Sequence, residues 1–229
     1  MKDPTEDTVP VRPAATVVAV DRAAALPRVL MGQRGAKAVF MPNRFVFPGG
    51  RVDDGDSTAP LARPLQPQVA QALEAGGSAP SARALAAAAV RELWEETGLD
   101  LCAPHHPGWA ALGQRSVAPD ASPLRFFFRA ITPPGRPRRF DARFFMVPAE
   151  VLGGDVHGLS AAGDELSHLQ WLTLEEARAL PLPFITRIVL SEVDAVLAAP
   201  GSAREIPFFD HSDGRSTMRS LGRVAPLTS

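Results

Sequence analysis

The chain has 229 residues, 45% of them hydrophobic, and a net charge of -1 from 24 basic and 25 acidic side chains. That is enough for one substantial core, and it excludes a global basic field that would recruit nucleic acid. Cys102 is the single cysteine, so neither an internal disulfide nor a multi-thiolate metal site can form, and a reducing cytoplasm fits.

The opening stretch "MKDPTEDTVPVRPAA" is polar and proline-rich without the apolar core of a signal peptide, and residues 1–13 are expected to be a disordered tail. "ATVVAVDR" and "PRVLMGQR" read as strands, rich in valine and leucine. "RFVFPGG" reads as a third, short strand ending in a tight turn at Gly49 and Gly50. Residues 57–80 follow "RVDDGDS"; they are rich in alanine, proline and glycine and show no period. From Ser81, a good N-cap, a helix is predicted to run to Gly98, a typical C-terminal glycine. Its "ALAAAAV" is the nearest approach to a membrane span and falls far short of the roughly 18–20 apolar residues required. Downstream, "LRFFFRAI" and "DARFFMVPA" are strand-like, and "ELSHLQWL" alternates apolar and polar before the helical "TLEEARAL". "PFITRIVLSEVDAVLAA" closes as an amphipathic helix with Pro183 near its start, and residues 201–229 read as irregular. Strands mixed with a few helices argue a sheet covered by helices.

The chemistry concentrates in "RELWEETGL", residues 91–99. A helix turns about 100° per residue, so Glu92, Glu95 and Glu96 project from one face and repel one another. On the helix only Arg91 offsets that charge. An outside cation is the simplest remedy, and clustered carboxylates without cysteine or histidine suit Mg2+ or Mn2+ better than zinc. A solvated acidic face is the plainer alternative for these residues alone.

Joined to "FPGGRVDDGDS", the pattern resembles the Nudix box, the signature of the Nudix hydrolases. Gly50, Asp56, Arg91, Glu92, Leu93, Glu95, Glu96, Gly98 and Leu99 stand at its fixed positions. Two departures mark this chain. Thirty-four residues separate Asp56 from Arg91, which places a long insertion, residues 57–80 in the main, inside the box. Loop insertions cost little, about 0.6 kcal/mol per doubling of loop length. Asp56 also stands where the family has glutamate, a ligand shorter by one methylene that binds metal directly, through water, or not at all.

The resemblance implies an α+β fold, an α/β/α sandwich with a mixed sheet between helices and a helical insertion, spanning residues 14–200. It implies Mg2+ or Mn2+ held by Glu92, Glu95, Glu96, Asp56 and the Gly50 carbonyl, with Glu92 as ligand or base and Arg91 orienting it. In some members an acid from a later loop is the base; Asp164 and Glu165 are the candidates, Glu165 being preferred, and a solvated loop is the alternative. The stretch "LMGQRGAKAVFMPNRFVFPGGRVDDGDS" is similar to the approach to the box in Nudix coenzyme A diphosphatases with a long box insertion. That makes Arg34, Phe47 and Gly49 candidate substrate contacts, although Phe40 and Phe47 serve equally well as core.

Other features weigh less. Arg136, Arg138, Arg139 and Arg143 in "PPGRPRRFDARFF" suit a terminal phosphate, or form a solvated hairpin loop. His105 and His106 lack a third ligand at suitable spacing. Trp171 reads as core rather than as a base-stacking platform. The expectation is a cytoplasmic pyrophosphohydrolase acting on a small nucleoside-diphosphate substrate, coenzyme A or acyl-CoA first and ADP-ribose or a nucleotide sugar second. A non-catalytic Nudix-like nucleotide-binding module is the rival. Neither membrane nor nucleic acid is expected as a partner, and homodimerisation is open.

Overall fold

The computed structural model describes residues 9–36, 38, 41–75, 77, 80–104, 112, 117–159 and 166–224. Strands β1 (Val11–Asp21), β2 (Arg28–Arg34), β3 (Phe45–Val46) and β4 (Gly49–Arg51) come first, followed by a 3-10 turn over Asp54–Thr58. Helices α1 (Pro67–Ala75) and α2 (Ala82–Thr97) lead to a small ladder of β5 (Cys102–Pro104) and β6 (Val117–Pro119). Then come β7 (Arg125–Ile131), β8 (Arg139–Pro148), β9 (Leu166–Thr173), α3 (Leu174–Ala179), α4 (Phe184–Ala198), β10 (Arg204–Asp210) and β11 (Thr217–Val224). No helix among the described residues is long and apolar enough to cross a membrane.

The main sheet is mixed, in the order β11-β10-β7-β8-β1-β2-β3, with β4 on β1 and β9 on β2. Side chains alternate across it, so each strand feeds two cores. Val17, Ala19, Leu30, Phe145 and Val147 pack with α1 and α2 on one face. Val18, Val20, Met31, Phe144 and Met146 pack with α3 and α4 on the other. The expected α/β/α layering is therefore present. In β7 the pairing shifts between Phe126 and Phe128, and the extra residue lets Phe127 and Phe128 both join the second core.

The alanine-rich first half of α2 sets its distance from the sheet. Ala84, Ala86, Ala87, Ala88 and Ala89 are all buried, and such small side chains let the helix axis lie close on β1. The Ser81 hydroxyl accepts the Ala84 N–H at 3.2 Å and caps the start. Gly98 ends it with φ 71°, its N–H donating to the Trp94 carbonyl at 2.9 Å.

Two expectations need correction, the first being the tail over residues 1–13, since β1 already begins at Val11 and pairs with β8 there. The second is the C-terminal segment, expected to be irregular: over residues 204–224, β10 and β11 pair antiparallel, and β10 runs parallel beside β7. Ile206, on β10, enters the first core and Phe208 is also buried, a period-2 pattern that Pro207 and the polar hairpin mask in sequence. The segment 57–80, aperiodic in sequence, contains α1, in keeping with the helical insertion that the resemblance implied, and Val69, Ala72 and Leu73 join that same core. The insertion and the terminal hairpin are coupled physically. Two added strands widen the sheet, and α1 packs against β11 and β7 to cover the added face. The chain leading into α1 is pinned as well: Ala62 N–H donates to the Pro119 carbonyl at 2.8 Å, and Arg63 pairs with Asp120.

Candidate active site

The glycine turn and α2 meet beside β1. Gly49 and Gly50 pair with Thr16 and Ala15, so the turn is held as the short edge strand β4. A Cβ on Gly49 would sit 2.5 Å from the Ala15 carbonyl oxygen, which leaves glycine as the only fit. A Cβ on Gly50 would sit 2.5 Å from the Glu92 carboxylate, so the bare Gly50 is the cradle in which that carboxylate lies. The Gly49 N–H donates to Glu96 Oε2 at 2.7 Å, fixing the turn to the buried end of the acidic face.

Arg91 is the hub. Its Nε and Nη2 donate to Asp56 Oδ1 and Oδ2, each at 3.0 Å, a fork that matches a carboxylate. Nη2 also donates to the Arg51 carbonyl at 2.9 Å, while Nη1 donates to Glu92 Oε1 at 2.8 Å and Glu95 Oε2 at 3.0 Å. Burial alone would lower the Arg91 pKa, but the hydrogen bond to Asp56 and the charge of Glu92 outweigh it, and the pKa is raised. The guanidinium thus stays charged and divides its donors between a buried anchor and two catalytic candidates.

This geometry sorts the candidates. Glu92, Glu95 and Glu96 run from half-buried through exposed to buried, so one edge of the cluster opens to solvent at Glu95. Asp56 does not face that opening. It is 1% exposed, both oxygens are committed to Arg91, and Oδ2 also accepts the Asp53 N–H at 2.8 Å. The expected metal ligand is instead the counter-ion that positions Arg91, its shorter side chain being tied down by the turn at Asp53. Arg51, through its carbonyl, was missed by sequence reasoning, because a backbone acceptor carries no residue signature. Arg51 also pairs with Asp53 at 2.8 Å, flanking the hub.

Among the expected substrate contacts, Phe47 is 4% exposed and lies in the core under α3 and α4. Its alternation with Phe45 and the packing against Met31 and Val18 leave no face for a ligand, which corrects that assignment. Gly49 offers its N–H to Glu96 rather than outward. Arg34 ends β2, where its N–H donates to the Arg44 carbonyl at 3.0 Å. Within the arginine group only Arg136 and Arg138 are solvated. Arg139 is buried and donates to the carbonyls of Thr132 and Ser212, and Arg143 is fully buried with Nη1 2.8 Å from Asp141. The solvated-loop reading therefore holds for only half the group. Trp171 packs against the first core and donates from Nε1 to the Val156 carbonyl at 2.7 Å, a structural role. Phe40, His105, His106, Asp164 and Glu165 lie outside the described residues.

Among the described residues no three His, Cys, Asp or Glu side chains already converge to ligand distance. Arg91 accounts for this: carboxylates gather around whichever cation is present, and here Glu92 and Glu95 turn to the guanidinium. The donors still fit a hard divalent ion. They are all carboxylate or carbonyl oxygens, Glu95 reaches solvent, and the Gly50 cradle leaves Glu92 unobstructed.

Comparison with known proteins agrees with this arrangement. The NUDIX domain model matches residues 62–192. A Caenorhabditis elegans protein whose name places it among the nudix hydrolases is 30% identical over 166 residues, 65% of this chain. The chain spans about half, 48%, of that relative's length. The crystal structure of a NUDIX hydrolase from Alicyclobacillus acidocaldarius superposes with a TM-score of 0.60 and 28% identity, covering 80% of this chain and 91% of that one. The helix residues of the box, Arg91 to Leu99, lie within that match, and the chain belongs to the NUDIX family.

Proposed function

We propose that this protein is a divalent-metal-dependent pyrophosphohydrolase, and that its preferred substrate is coenzyme A or an acyl-CoA, split into 3',5'-ADP and a 4'-phosphopantetheine product. One observation carries the catalytic reading: all three carboxylates of the box are present, Glu92 and Glu95 on the buried Arg91 and Glu96 on the N–H of the glycine turn. A binding module that had given up hydrolysis would have no use for so costly a cluster of like charge. Glu92, Glu95, Glu96 and the Gly50 carbonyl would hold Mg2+ or Mn2+. Such ions neutralise the diphosphate oxygens and lower the pKa of bound water.

The chain's own residues supply the rest. Arg91, fixed by Asp56, holds the Glu92 carboxylate in its cradle, so that Glu92 is placed to take a proton from an attacking water. Glu96 keeps the Gly49–Gly50 turn in register with the helix. Glu165, which directly precedes β9 in sequence, is the alternative base. The substrate assignment rests on the likeness of "FMPNRFVFPGG" and of the box insertion to coenzyme A diphosphatases. ADP-ribose or a nucleotide sugar is the competing substrate.

The test is a mass-spectrometric product assay against coenzyme A, acetyl-CoA, ADP-ribose, NADH and dinucleoside polyphosphates with Mg2+ or Mn2+. Release of 3',5'-ADP fastest from the CoA substrates supports the full proposal. Faster cleavage of another diphosphate overturns the substrate, and no cleavage of any overturns the enzyme reading.

A further inference from the structure

A cavity of about 720 Å3 opens on the face of the sheet that carries α4, away from the acidic helix. Its floor is Ala142 and Phe144 of β8, and one wall is Phe209 of the terminal hairpin. Phe184, at the start of α4, is 69% exposed over it, with its ring centroid 6.1 Å from that of Phe209. His211 stands edge-on to Phe209 at 5.8 Å. Two arginines, Arg44 and Arg136, reach the rim, and among the described residues neither has an ion-pair partner. An apolar pocket faced by aromatic rings and edged by uncommitted guanidinium groups suits a planar ring that carries phosphate.

Strand register ties the floor of this cavity to the anchor of the acidic site. Ala142 pairs with Ala14, and Ala14 pairs with Arg51, whose carbonyl anchors Arg91. Neighbouring strands lie about 4.8 Å apart, so the cavity floor is two strand spacings, about 10 Å, from that anchor. Arg44 also lies only five residues before Gly49, at most about 17 Å of extended chain.

We infer that this cavity binds the nucleotide half of the substrate, with the base packed on the Phe209 ring beside Phe184 and a terminal phosphate on Arg136 and Arg44. The inference rests on the pyrophosphohydrolase reading for the identity of the ligand, but not for its site. It also gives the β10–β11 hairpin, which reads as irregular in sequence, the function of selecting the substrate. Exposure of a large phenyl ring at the mouth then has a purpose: Phe184 adds apolar surface for the base beside Phe209.

The test is equilibrium binding of adenosine 3',5'-bisphosphate to the full chain in EDTA, with adenosine and inorganic phosphate as partial probes. The bisphosphate is expected to bind more tightly than either partial probe. Phe209→Ala should weaken it about tenfold or more, the scale of a lost base-stacking contact. Arg136→Glu, an exposed change that spares the fold, should weaken the bisphosphate but leave adenosine unaltered. Glu95→Gln should leave binding unchanged. Undiminished binding in both Phe209→Ala and Arg136→Glu overturns the site, as does a cavity that binds a medium-chain fatty acid in preference to the bisphosphate. Pocket-dependent binding in a protein that cuts no diphosphate would overturn the enzyme reading and leave this one standing. Turnover of coenzyme A with an unchanged KM in Phe209→Ala would do the reverse.

Discussion

Gly49 and Gly50 are adjacent, yet replacing each by alanine is predicted to damage different properties. At Gly50 the new Cβ falls 2.5 Å from the carboxylate of Glu92. Carbon contacts settle near 3.5 Å, so the carboxylate must retreat by about 1 Å. It can do so, because it is the far end of a flexible side chain, and the fold should lose less than about 1 kcal/mol. Catalysis cannot absorb the same movement: a misplacement of about 1 Å costs on the order of 100-fold in rate, about 2.7 kcal/mol. At Gly49 the Cβ meets backbone, 2.5 Å from the Ala15 oxygen and 2.6 Å from the Thr16 Cα. There β4 must part from β1, at a cost of about 1–3 kcal/mol, and each kcal/mol lowers Tm by about 2–4 °C in a chain of this size. Initial rates on the best diphosphate substrate, paired with thermal melts, separate the two. Gly50→Ala should keep Tm and lose kcat; Gly49→Ala should lose Tm. Wild-type kcat in Gly50→Ala, or equal destabilisation by both, would refute the cradle.

Other substitutions probe the supporting shell. Arg91→Met strands the Asp56 carboxylate in a buried position and should cost about 3–5 kcal/mol in urea unfolding; adding Asp56→Leu should recover a large part of that loss. Phe47→Ala should behave as a core truncation, losing about 3–5 kcal/mol of stability, without the selective rise in KM that a substrate contact would give. Asp21 is buried, which pushes its carboxyl pKa up, but the Ala23 N–H at 2.8 Å and Arg28 at 2.5 Å outweigh this and hold it below the usual 3.8. A folded pKa below the unfolded one means the stabilisation is complete above the unfolded value and disappears as pH falls through the folded one. Asp21→Asn should therefore flatten the acid limb of stability against pH, and an unaltered slope below about pH 4 would contradict the pairing.

The parts legible in sequence are those fixed by local rules. Ser81 and Gly98 bound α2 because capping depends on neighbouring backbone. The two faces of β1, β2 and β8 follow from period-2 alternation, and Glu92, Glu95 and Glu96 share a face because 3.6 residues make a turn. What sequence left open was decided by partners distant in the chain. Asp56 reads as a ligand until Arg91, 35 positions later, is seen to take both its oxygens. Arg139 and Arg143 read as solvated until strand pairing supplies Thr132, Ser212 and Asp141 to receive them. The terminal hairpin and α1 do not announce themselves either: Pro207 interrupts β10, and α1 finds its packing partners in β7 and β11, far along the chain.

The central claim is that the acidic face of α2 is a divalent-metal centre which carries the chemistry. Titration of Mn2+ into wild-type protein and Glu95→Gln, followed by electron paramagnetic resonance and matched to turnover on the same samples, tests it most directly. Glu95 is 45% exposed at its side chain and half-free of the buried network, so its amide should leave Tm unaltered. The account predicts that wild type binds Mn2+ and hydrolyses a diphosphate, and that Glu95→Gln loses both while remaining folded. Mn2+ binding and turnover at wild-type levels in Glu95→Gln would contradict it and move the centre elsewhere.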